Sequence, residues 1–585
     1  MTTRDDGLSI RPGRIRDGGH SRGSAKSFVG QVMRAARKAG HTGKRFSGQS
    51  HASGRSRFGR GRVAAAQLRL LSPSRRVVIK ARVVRHRGTH FRSAPLAKHL
   101  SYLQREGVTR DGSDARLFDA DPESADAGVF ADRCEQDRHH FRFIVSPEDA
   151  PEMADLRAFT RDLMANAEAD LGTRLEWVAV DHWNTDNPHV HVLVRGVADD
   201  GADLVISRDY ISRGLRVRAE ELAGLELGPR SERAIRASLE QEVDADRWTG
   251  LDQALRAASD DNGGLADLRS GALEPNDPAL RRLMIGRATK LERLGLAERV
   301  GPVQWTLRPG LEDTLRALGE RGDIIKTMHR ALSHSGGAVS VADFAIHTDT
   351  AAPIIGRLAD RGLHDELTGT AYVVIEGVDG RAHHLRFPDL ATTGDASIGA
   401  IVEARGFEDA NRRRRLALLV RSDLGLAAQV SASGATWLDR QAVTRERLPL
   451  ASSGFGADAA AALERRAEHL IGEGLARRQG QRIVFAQDLL ETLRRRELAA
   501  VRTKLSDETG LAWHPSAEGE HVSGVYRQRI PLASGRFAMI DDGLGFQLVP
   551  WRPSLEPHLG RQVSGVVGPG GAVDWSFGRK RGLGL

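Results

Sequence analysis

The structure of the first folded region is predicted best from one stretch, His182-Trp-Asn-Thr-Asp-Asn-Pro-His189-Val-His191-Val-Leu-Val194. Its second half alternates histidine with aliphatic residues, which is the period-two pattern of a β-strand. On such a strand His189 and His191 face the same side, about 7 Å apart, and the intervening valines face the other side. A second strand is predicted at Leu175–Val180, and the polar turn after it can bring His182 beside the pair.

Three neutral imidazoles that converge on one point can bind a divalent cation and leave positions open for a substrate. Nitrogen ligands favour Mn, Co, Ni or Zn over Mg, but an open site that also receives phosphate oxygens can work with Mg²⁺. We therefore expect Mn²⁺ or Mg²⁺ as the cofactor, held by His182, His189 and His191. The alternative is three histidines that make only hydrogen bonds, and their alternation with aliphatic residues argues against it.

Strands and helices alternate around this stretch. Val77–Val84 and Phe141–Val145 are short and rich in β-branched or aromatic residues, which predicts two more strands. Pro95 can open a helix in which leucines recur at helical spacing, and Tyr102 lies on that helix. The region 75–235 is therefore expected to be α+β, with an antiparallel sheet flanked by helices.

Three segments in this order resemble motifs of the HUH endonucleases, specifically the relaxases (mobilisation nucleases) of conjugative elements whose nucleophilic tyrosine lies near the start of the domain. They are Ala97–Leu103, Phe141–Glu148 and His182–His191. The resemblance spans about residues 76–232 and implies an HUH-type fold. It also implies that Tyr102 attacks the scissile phosphate, leaving a 5′-phosphotyrosine and a free 3′-hydroxyl that the reverse reaction rejoins.

The resemblance also implies roles for other residues. Ser146 would contact DNA at the nick, although Ser146–Asp149 also fits an S-x-x-D capping box with proline at the first helical position. Asn184 stands where many relaxases have an aspartate that orients a ligand histidine, so Asp186 is a substitute candidate. Tyr210 is the reserve nucleophile, with a structural role at a helix start as the favoured alternative.

Positive charge is concentrated at the N-terminus. The first 100 residues contain 24 Lys and Arg against three acidic residues, whereas the remaining 485 contain 62 basic and 74 acidic residues. Such a block indicates binding to a polyanion such as nucleic acid, with a solubilising tail as the alternative. Residues 1–74 are also rich in Gly, Ser and Arg, so we expect a disordered basic arm there.

Several side chains near the tyrosine helix are candidates for contacting DNA. Single-stranded DNA is bound by cationic side chains that contact phosphates and by aromatic rings that stack on bases. The candidate phosphate contacts are Lys80, Arg82, Lys98 and Arg105, and the candidate stacking residue is Trp183.

A chain of 585 residues is too long for one hydrophobic core. A pattern Leu-x3-Gly-Leu followed by an apolar strand begins at Leu291, Leu358 and Leu470, which predicts winged-helix-like or degenerate helix–hairpin units in a mostly α-helical C-terminal half. That half also resembles the uncharacterised extension of some relaxases. The expected regions are a basic arm 1–74, a relaxase region 75–235, a helical or winged-helix-like region 236–330, a helical region with repeats 331–505, and a small β-containing unit 506–585.

The sequence gives no sign of a membrane protein or a secreted protein. No apolar run approaches the roughly 18 residues of a membrane span, and the N-terminus lacks the apolar core of a signal peptide. Cys134 is the single cysteine, so no intramolecular disulfide can form. We expect a cytoplasmic protein.

The resemblance implies a bacterial relaxase that nicks and rejoins one strand at a transfer origin and thereby initiates conjugation. Its expected partners are single-stranded and supercoiled DNA, accessory relaxosome proteins and a type IV coupling protein, through which it can accompany the DNA into the recipient. One alternative is a rolling-circle replication initiator or a transposase of the same superfamily. Another is a non-catalytic DNA-binding regulator in which the histidines hold a structural metal.

Overall fold

The protein is a mixed α+β protein with several sheets, seen in a computed structural model. The structure describes residues 60–86, 94–104, 109–110, 115–121, 125–183, 187–271, 277–333, 343–409 and 411–577. The chain divides into two compact units, one formed by Met1–Pro73 with Arg230–Gly319 and the other by Ser74–Pro229 with Glu320–Leu585. Among the described residues, no helix has both the length and the apolar character needed to cross a membrane.

The end of the predicted basic arm is folded. Helix α1, Arg60–Leu70, buries Val63 and Leu70 in the core of the first unit, together with Leu251 and Leu255. The expectation of disorder over 1–74 is therefore wrong for this segment. Val63, Gln67 and Leu70 recur at helical spacing and form a buried face, which the surrounding Gly and Arg residues obscured. The rest of the arm, residues 1–59, lies outside the described residues.

The predicted strands of the region around the histidines are confirmed. The chain passes through β1 Val77–Arg85, α2 Ala94–Leu103, α3 Ala127–Arg133, β2 His139–Pro147, α4 Leu156–Leu171, β3 Trp177–His182, β4 His189–Arg195 and α5 Leu215–Leu227. The four strands form one antiparallel sheet in the order β1-β2-β4-β3. Its central strand β4 pairs with both β2 and β3.

The two faces of this sheet are covered by different helices. Val190 and Val192 on β4 belong to the core that also contains Phe159 and Leu163 of α4. Leu193 belongs to a separate core with the leucines of α2. Because side chains alternate along a strand, His189 and His191 lie on the same face as Leu193, which is the face that α2 covers. The sheet therefore presents its histidines to the helix that carries the predicted nucleophile.

The first unit continues with a small α/β arrangement. Its elements are α6 Glu232–Asp244, α7 Gly250–Asp261, β5 Leu265–Asp267, α8 Pro278–Arg293, β6 Ala297–Gly301 and β7 Gln304–Leu307, followed by α9 Leu311–Ser333. The three strands pair in the order β5-β7-β6. Gly295 adopts a left-handed conformation, φ 70°, directly after α8. The helix, glycine and hairpin predicted from Leu291 are thus confirmed.

The region that follows is a six-stranded sheet, which the sequence did not predict. Its strands are β8 Phe344–His347, β9 Ile354–Asp365, β10 Thr370–Gly377, β11 Ala382–Phe387, β12 Ile401–Glu408 and β13 Arg414–Ser422, in the order β13-β12-β9-β10-β11-β8. The repeat predicted at Leu358 is wrong, since Leu358 and Leu363 both lie within β9. β9 pairs with β10 across a short turn and, at its start, with the later strand β12, and this pairing overrides a short helical spacing.

The remaining residues contain a helical part and another sheet. The helical part comprises α10 Leu426–Val430, α11 Trp437–Val443, α12 Gly454–Gly472, the hairpin β14 Ala476–Gln479 and β15 Arg482–Phe485, and α13 Leu489–Thr509. The helix, glycine and hairpin predicted from Leu470 are confirmed, with Gly474 at φ 71°.

The C-terminal sheet is larger than the small β unit predicted for 506–585. It consists of β16 Ala512–Trp513, β17 His521–Leu532, β18 Gly535–Asp541, β19 Gly545–Pro550, β20 Gln562–Val567 and β21 Val573–Ser576, in the order β16-β19-β18-β17-β20-β21. With two six-stranded sheets, the expectation of a mostly α-helical C-terminal half is wrong.

Candidate metal centre

Three histidines converge at one end of the β3–β4 hairpin. His182 and His189 are direct partners in the antiparallel register, and His191 is two residues further along β4. Their ring centroids are 4.5 to 5.5 Å apart, and all three side chains are buried. The structure thus brings together the three imidazoles predicted as ligands.

Backbone carbonyls orient two of these imidazoles. His182 Nε2 lies 2.8 Å from the carbonyl oxygen of Leu103, and His189 Nδ1 lies 2.9 Å from that of Asn187. A carbonyl oxygen can only accept, so each of these ring nitrogens donates a proton. In a neutral ring, the other nitrogen, Nδ1 of His182 or Nε2 of His189, would be the one that can bind a metal ion. This is the arrangement by which proteins hold metal-ligating histidines in one tautomer.

Glu366, which the sequence did not indicate, is the fourth member of the cluster. Glu366 lies in the turn between β9 and β10, and its Oε2 is 3.2 Å from His189 Nε2 and 3.0 Å from His191 Nε2. Its Oε1 lies 3.9 Å from His182 Nδ1. Burial favours a higher pKa for Glu366, but its contacts with His191 and His189 hold the pKa well below its usual range. The side chain therefore presents an anionic oxygen to the imidazoles.

The four groups fit a divalent cation. One ligand atom from each residue can be chosen so that all four lie within 4.8 Å of one another. Metal–ligand bonds of about 2.0–2.2 Å place neighbouring ligand atoms roughly 3.0–3.6 Å apart. The distances of 3.0 to 3.2 Å among His189, His191 and Glu366 agree with this spacing. His182, His189, His191 and Glu366 could hold the ion.

The predicted nucleophile lies on the helix that anchors this cluster. Tyr102 is half-buried near the end of α2, and the next residue, Leu103, supplies the carbonyl that orients His182. The backbone N–H of Leu363 donates to the Tyr102 hydroxyl at 3.0 Å. Leu363 lies only three residues before Glu366, so one segment of the chain contacts both the tyrosine and the histidines.

Ser146 lies beside the loop that leads into the histidine strand. It is in β2, and its hydroxyl donates to the Pro188 carbonyl at 3.2 Å. The capping-box interpretation is wrong, because α4 begins at Leu156 and is capped by the side chain of Asp155. The β1–β2 pairing extends through Ser146 and keeps it in strand conformation. Its predicted contact with DNA stays a prediction.

Three of the other predicted DNA-binding residues differ in exposure and contacts. Lys80 and Arg82 are exposed on β1. Trp183 donates from its indole nitrogen to Asp181 Oδ2 at 2.8 Å, and the guanidinium of Arg110 lies 5.0 Å from the centre of its ring.

Three of the remaining predicted residues lie outside the described residues: Asn184, Asp186 and Arg105. Lys98 belongs to α2. Nothing in the described structure therefore tests a second-sphere role for residue 184 or a phosphate contact by residue 105.

The reserve nucleophile is not brought to the cluster. Tyr210 packs against the core that covers the opposite face of the sheet, and its hydroxyl donates to Asp170 Oδ2 at 2.9 Å. Burial and the Asp170 carboxylate both raise the pKa of Tyr210. A tyrosine in this environment is a structural residue, so Tyr102 is the tyrosine to consider for chemistry.

The chain belongs to the family described as protein of unknown function (DUF3363). The family model matches residues 284–415 and 404–584, together just over half of the chain. No curated protein and no solved structure shows significant similarity to it. The match includes Glu366 but begins after Tyr102 and the three histidines. The candidate centre is therefore built jointly by the family region and by the sheet that precedes it.

Proposed function

We propose that this protein is a relaxase of the HUH type, which nicks and rejoins one DNA strand at a transfer origin. The observation that supports it best is the convergence of His182, His189 and His191 on the sheet face that is covered by the helix of Tyr102. Two histidines on one strand, a third across the hairpin and a tyrosine on a neighbouring helix are the groups that a phosphodiester transesterification requires.

In the proposed reaction the phenolic oxygen of Tyr102 attacks the scissile phosphorus. A P–O bond to Tyr102 forms, the bond to the 3′ oxygen breaks, and the departing oxygen takes up a proton to become a 3′-hydroxyl. A phenol with a pKa near 10 must lose its proton during the attack, to water or to a basic side chain. When bound, Mn²⁺ or Mg²⁺ supplies charge neutralisation for the phosphate oxygens. Attack by a 3′-hydroxyl on the phosphotyrosine reverses the reaction and needs no ATP.

Residues around the centre have DNA-binding roles in this proposal. Lys80, Arg82, Lys98 and Arg105 would bind phosphates, Trp183 would stack on a base, and Ser146 would contact the nick. The basic N-terminal residues would hold supercoiled or melted DNA by releasing counterions. The protein would work in a bacterial cytoplasm with accessory relaxosome proteins and a type IV coupling protein.

A second function is favoured by one specific observation. Four protein groups, with Glu366 as the fourth, would fill the tetrahedral coordination of a Zn²⁺ ion, which is typical of structural metal sites. A DNA-binding regulator with a structural metal would have this arrangement. Such a protein would bind duplex DNA tightly without cleaving it, and Tyr102→Phe would have no effect.

The test uses supercoiled plasmid that carries the intergenic DNA next to the protein's own gene. The purified chain is incubated with Mn²⁺ or Mg²⁺, and the reaction is stopped with SDS and protease. We expect a strand-specific nick with a blocked 5′ end, which a chelator abolishes. Tyr102→Phe should reduce nicking at least 10³-fold, or about 4 kcal/mol of transition-state stabilisation.

The matched control is Tyr210→Phe, which removes a hydroxyl from the same region on the other face of the sheet and should nick normally. Equal nicking by wild type and Tyr102→Phe would contradict the proposed nucleophile. If neither nicks in the presence of the host's cell extract, yet both shift the plasmid in a gel, the regulator becomes the better explanation.

A further inference from the structure

One short segment contacts both reactive parts of the candidate centre. At its start, the Leu363 N–H donates to the Tyr102 hydroxyl at 3.0 Å. At its end, Glu366 Oε2 lies 3.2 Å from His189 Nε2 and 3.0 Å from His191 Nε2. We call Gly362–Glu366 the strap. It belongs to the DUF3363 region, whose function is unknown.

We propose that the strap is a built-in competitor for the DNA strand, which must move away before the centre can receive a phosphate. The Glu366 carboxylate takes the place that a phosphate oxygen would have next to the histidines. The backbone N–H of Leu363 is hydrogen-bonded to the hydroxyl of the proposed nucleophile. This inference rests on the proposed function and gives the DUF3363 region a role in it: control of access to the nuclease site.

The strap approaches Tyr102 more closely than a residue with a side chain would permit. A Cβ atom at position 362 would lie 2.6 Å from the Tyr102 hydroxyl and 2.9 Å from a ring carbon of Tyr372. Both separations are shorter than real Cβ contacts, so any side chain at this position would force the side chains of Tyr102 and Tyr372 to shift.

The strap ends in a tight turn that positions Glu366. The Asp365 carboxylate accepts from the Leu367 N–H at 3.0 Å, and the Gly369 N–H donates to the Asp365 carbonyl at 2.8 Å. Gly369 adopts a left-handed conformation, φ 74°, and the pairing of β9 with β10 shifts register at Thr370. These local bonds hold the turn together at the tip of the β9–β10 hairpin, so the strap would open together with that tip.

The closed arrangement is incompatible with the proposed reaction. A phosphate oxygen and the Glu366 carboxylate are both anionic oxygen ligands, so they repel each other and compete for the same place. A catalytic metal site keeps positions open for substrate, and Glu366 takes up one of the positions that the three histidines leave. The apparent affinity for DNA is then reduced by the fraction of molecules in the closed state.

The first experiment follows the strap itself in the wild-type chain. Hydrogen exchange of a peptide that covers residues 354–370 is measured with and without a single-stranded oligonucleotide from the mapped nick region, in Mg²⁺. We expect the Leu363 amide to exchange at least tenfold faster when the oligonucleotide is bound. Unchanged exchange at saturating oligonucleotide would overturn the proposal.

The second experiment removes the competing charge. Glu366→Gln keeps the shape of the side chain, and it should lower the Kd for the oligonucleotide at least fivefold and raise the rate of plasmid nicking. The matched control is Glu408→Gln, a change at an exposed acidic residue on β12, which should alter neither. Weaker DNA binding or slower nicking by Glu366→Gln would mean that Glu366 is a required ligand, and the proposal would be wrong.

The results separate this inference from the proposed function. If wild type nicks DNA but exchange at the strap does not change and Glu366→Gln binds no tighter, only the strap proposal fails. If wild type neither binds the oligonucleotide nor nicks the plasmid, the proposed function fails and the strap proposal with it.

Discussion

The molecule buries charged groups in two contrasting ways. Around Arg287 every polar hydrogen is used: the guanidinium donates to both oxygens of Asp252 at 2.8 Å and to the carbonyls of Val243, Ala245 and Arg247. In the histidine cluster His182 and His189 each donate to a backbone carbonyl, and the Glu366 carboxylate faces the other nitrogen of each ring. The first arrangement uses all of its donors within the protein, and the second is the candidate metal centre.

The saturated arrangement occurs twice. Arg466 donates to both oxygens of Asp439, at 2.8 and 2.9 Å, and to three backbone carbonyls. In both places the aspartate belongs to a capping box with a buried threonine, Thr249 or Thr436, and the arginine lies on the helix that precedes a glycine and a hairpin. The arginine–aspartate pairs leave no donor open to a ligand, whereas the histidine cluster is a candidate for binding a cation.

The strongest test of this comparison removes the buried guanidinium. Arg287→Met or Arg466→Met leaves a buried aspartate without its partner, which should lower the free energy of unfolding by about 3–5 kcal/mol. The measurement is chemical denaturation followed by circular dichroism. Arg465→Met, at the exposed neighbour of Arg466, should change stability by less than about 0.5 kcal/mol.

A loss below about 1 kcal/mol in either buried-arginine variant would show that the five hydrogen bonds do not stabilise their region. It would also remove the distinction between the two kinds of cluster.

The complementary test adds a cation. Mn²⁺ at a free concentration one hundred times its Kd should stabilise the wild-type chain by about 2.7 kcal/mol, because a ligand that binds only the folded state adds its binding free energy. Thermal unfolding with Mn²⁺ and with a chelator measures the difference. His191→Ala removes one ligand and should abolish the stabilisation, whereas Arg466→Met should retain it. Equal stabilisation in His191→Ala would place the cation elsewhere.

The smallest expected effect concerns the two capping boxes. Thr249 and Thr436 each accept a hydrogen bond from the N–H of the aspartate three residues later, and each donates to its carboxylate at 2.8 Å. Thr249→Ala or Thr436→Ala should lower the free energy of unfolding by about 1 kcal/mol. Thr→Ser at either position keeps the hydroxyl and should recover most of the loss. A marked difference between the losses of unfolding free energy at the two positions would show that the two capping boxes are not equivalent.

Much of the first sheet could be predicted because its signals are local. Alternation of histidine and valine indicates a strand, and the leucines around Tyr102 indicate a helix. The segment around Leu358 shows where this fails. Its spacing is compatible with a helix, but its backbone pairs with β10 across a short turn and, at its start, with the later strand β12, and this pairing makes it a strand.

The sequence by itself determined the strands that carry His182, His189 and His191 and the helix of Tyr102, because each depends on the spacing of neighbouring residues. Only the tertiary structure decided that Glu366, 177 residues beyond His189, lies against them. The tertiary structure also decided that the Leu363 N–H donates to the Tyr102 hydroxyl and that Tyr210 packs against the other face of the sheet. Contacts between residues so far apart leave no periodic signal, since sheet packing produces them rather than local backbone preference.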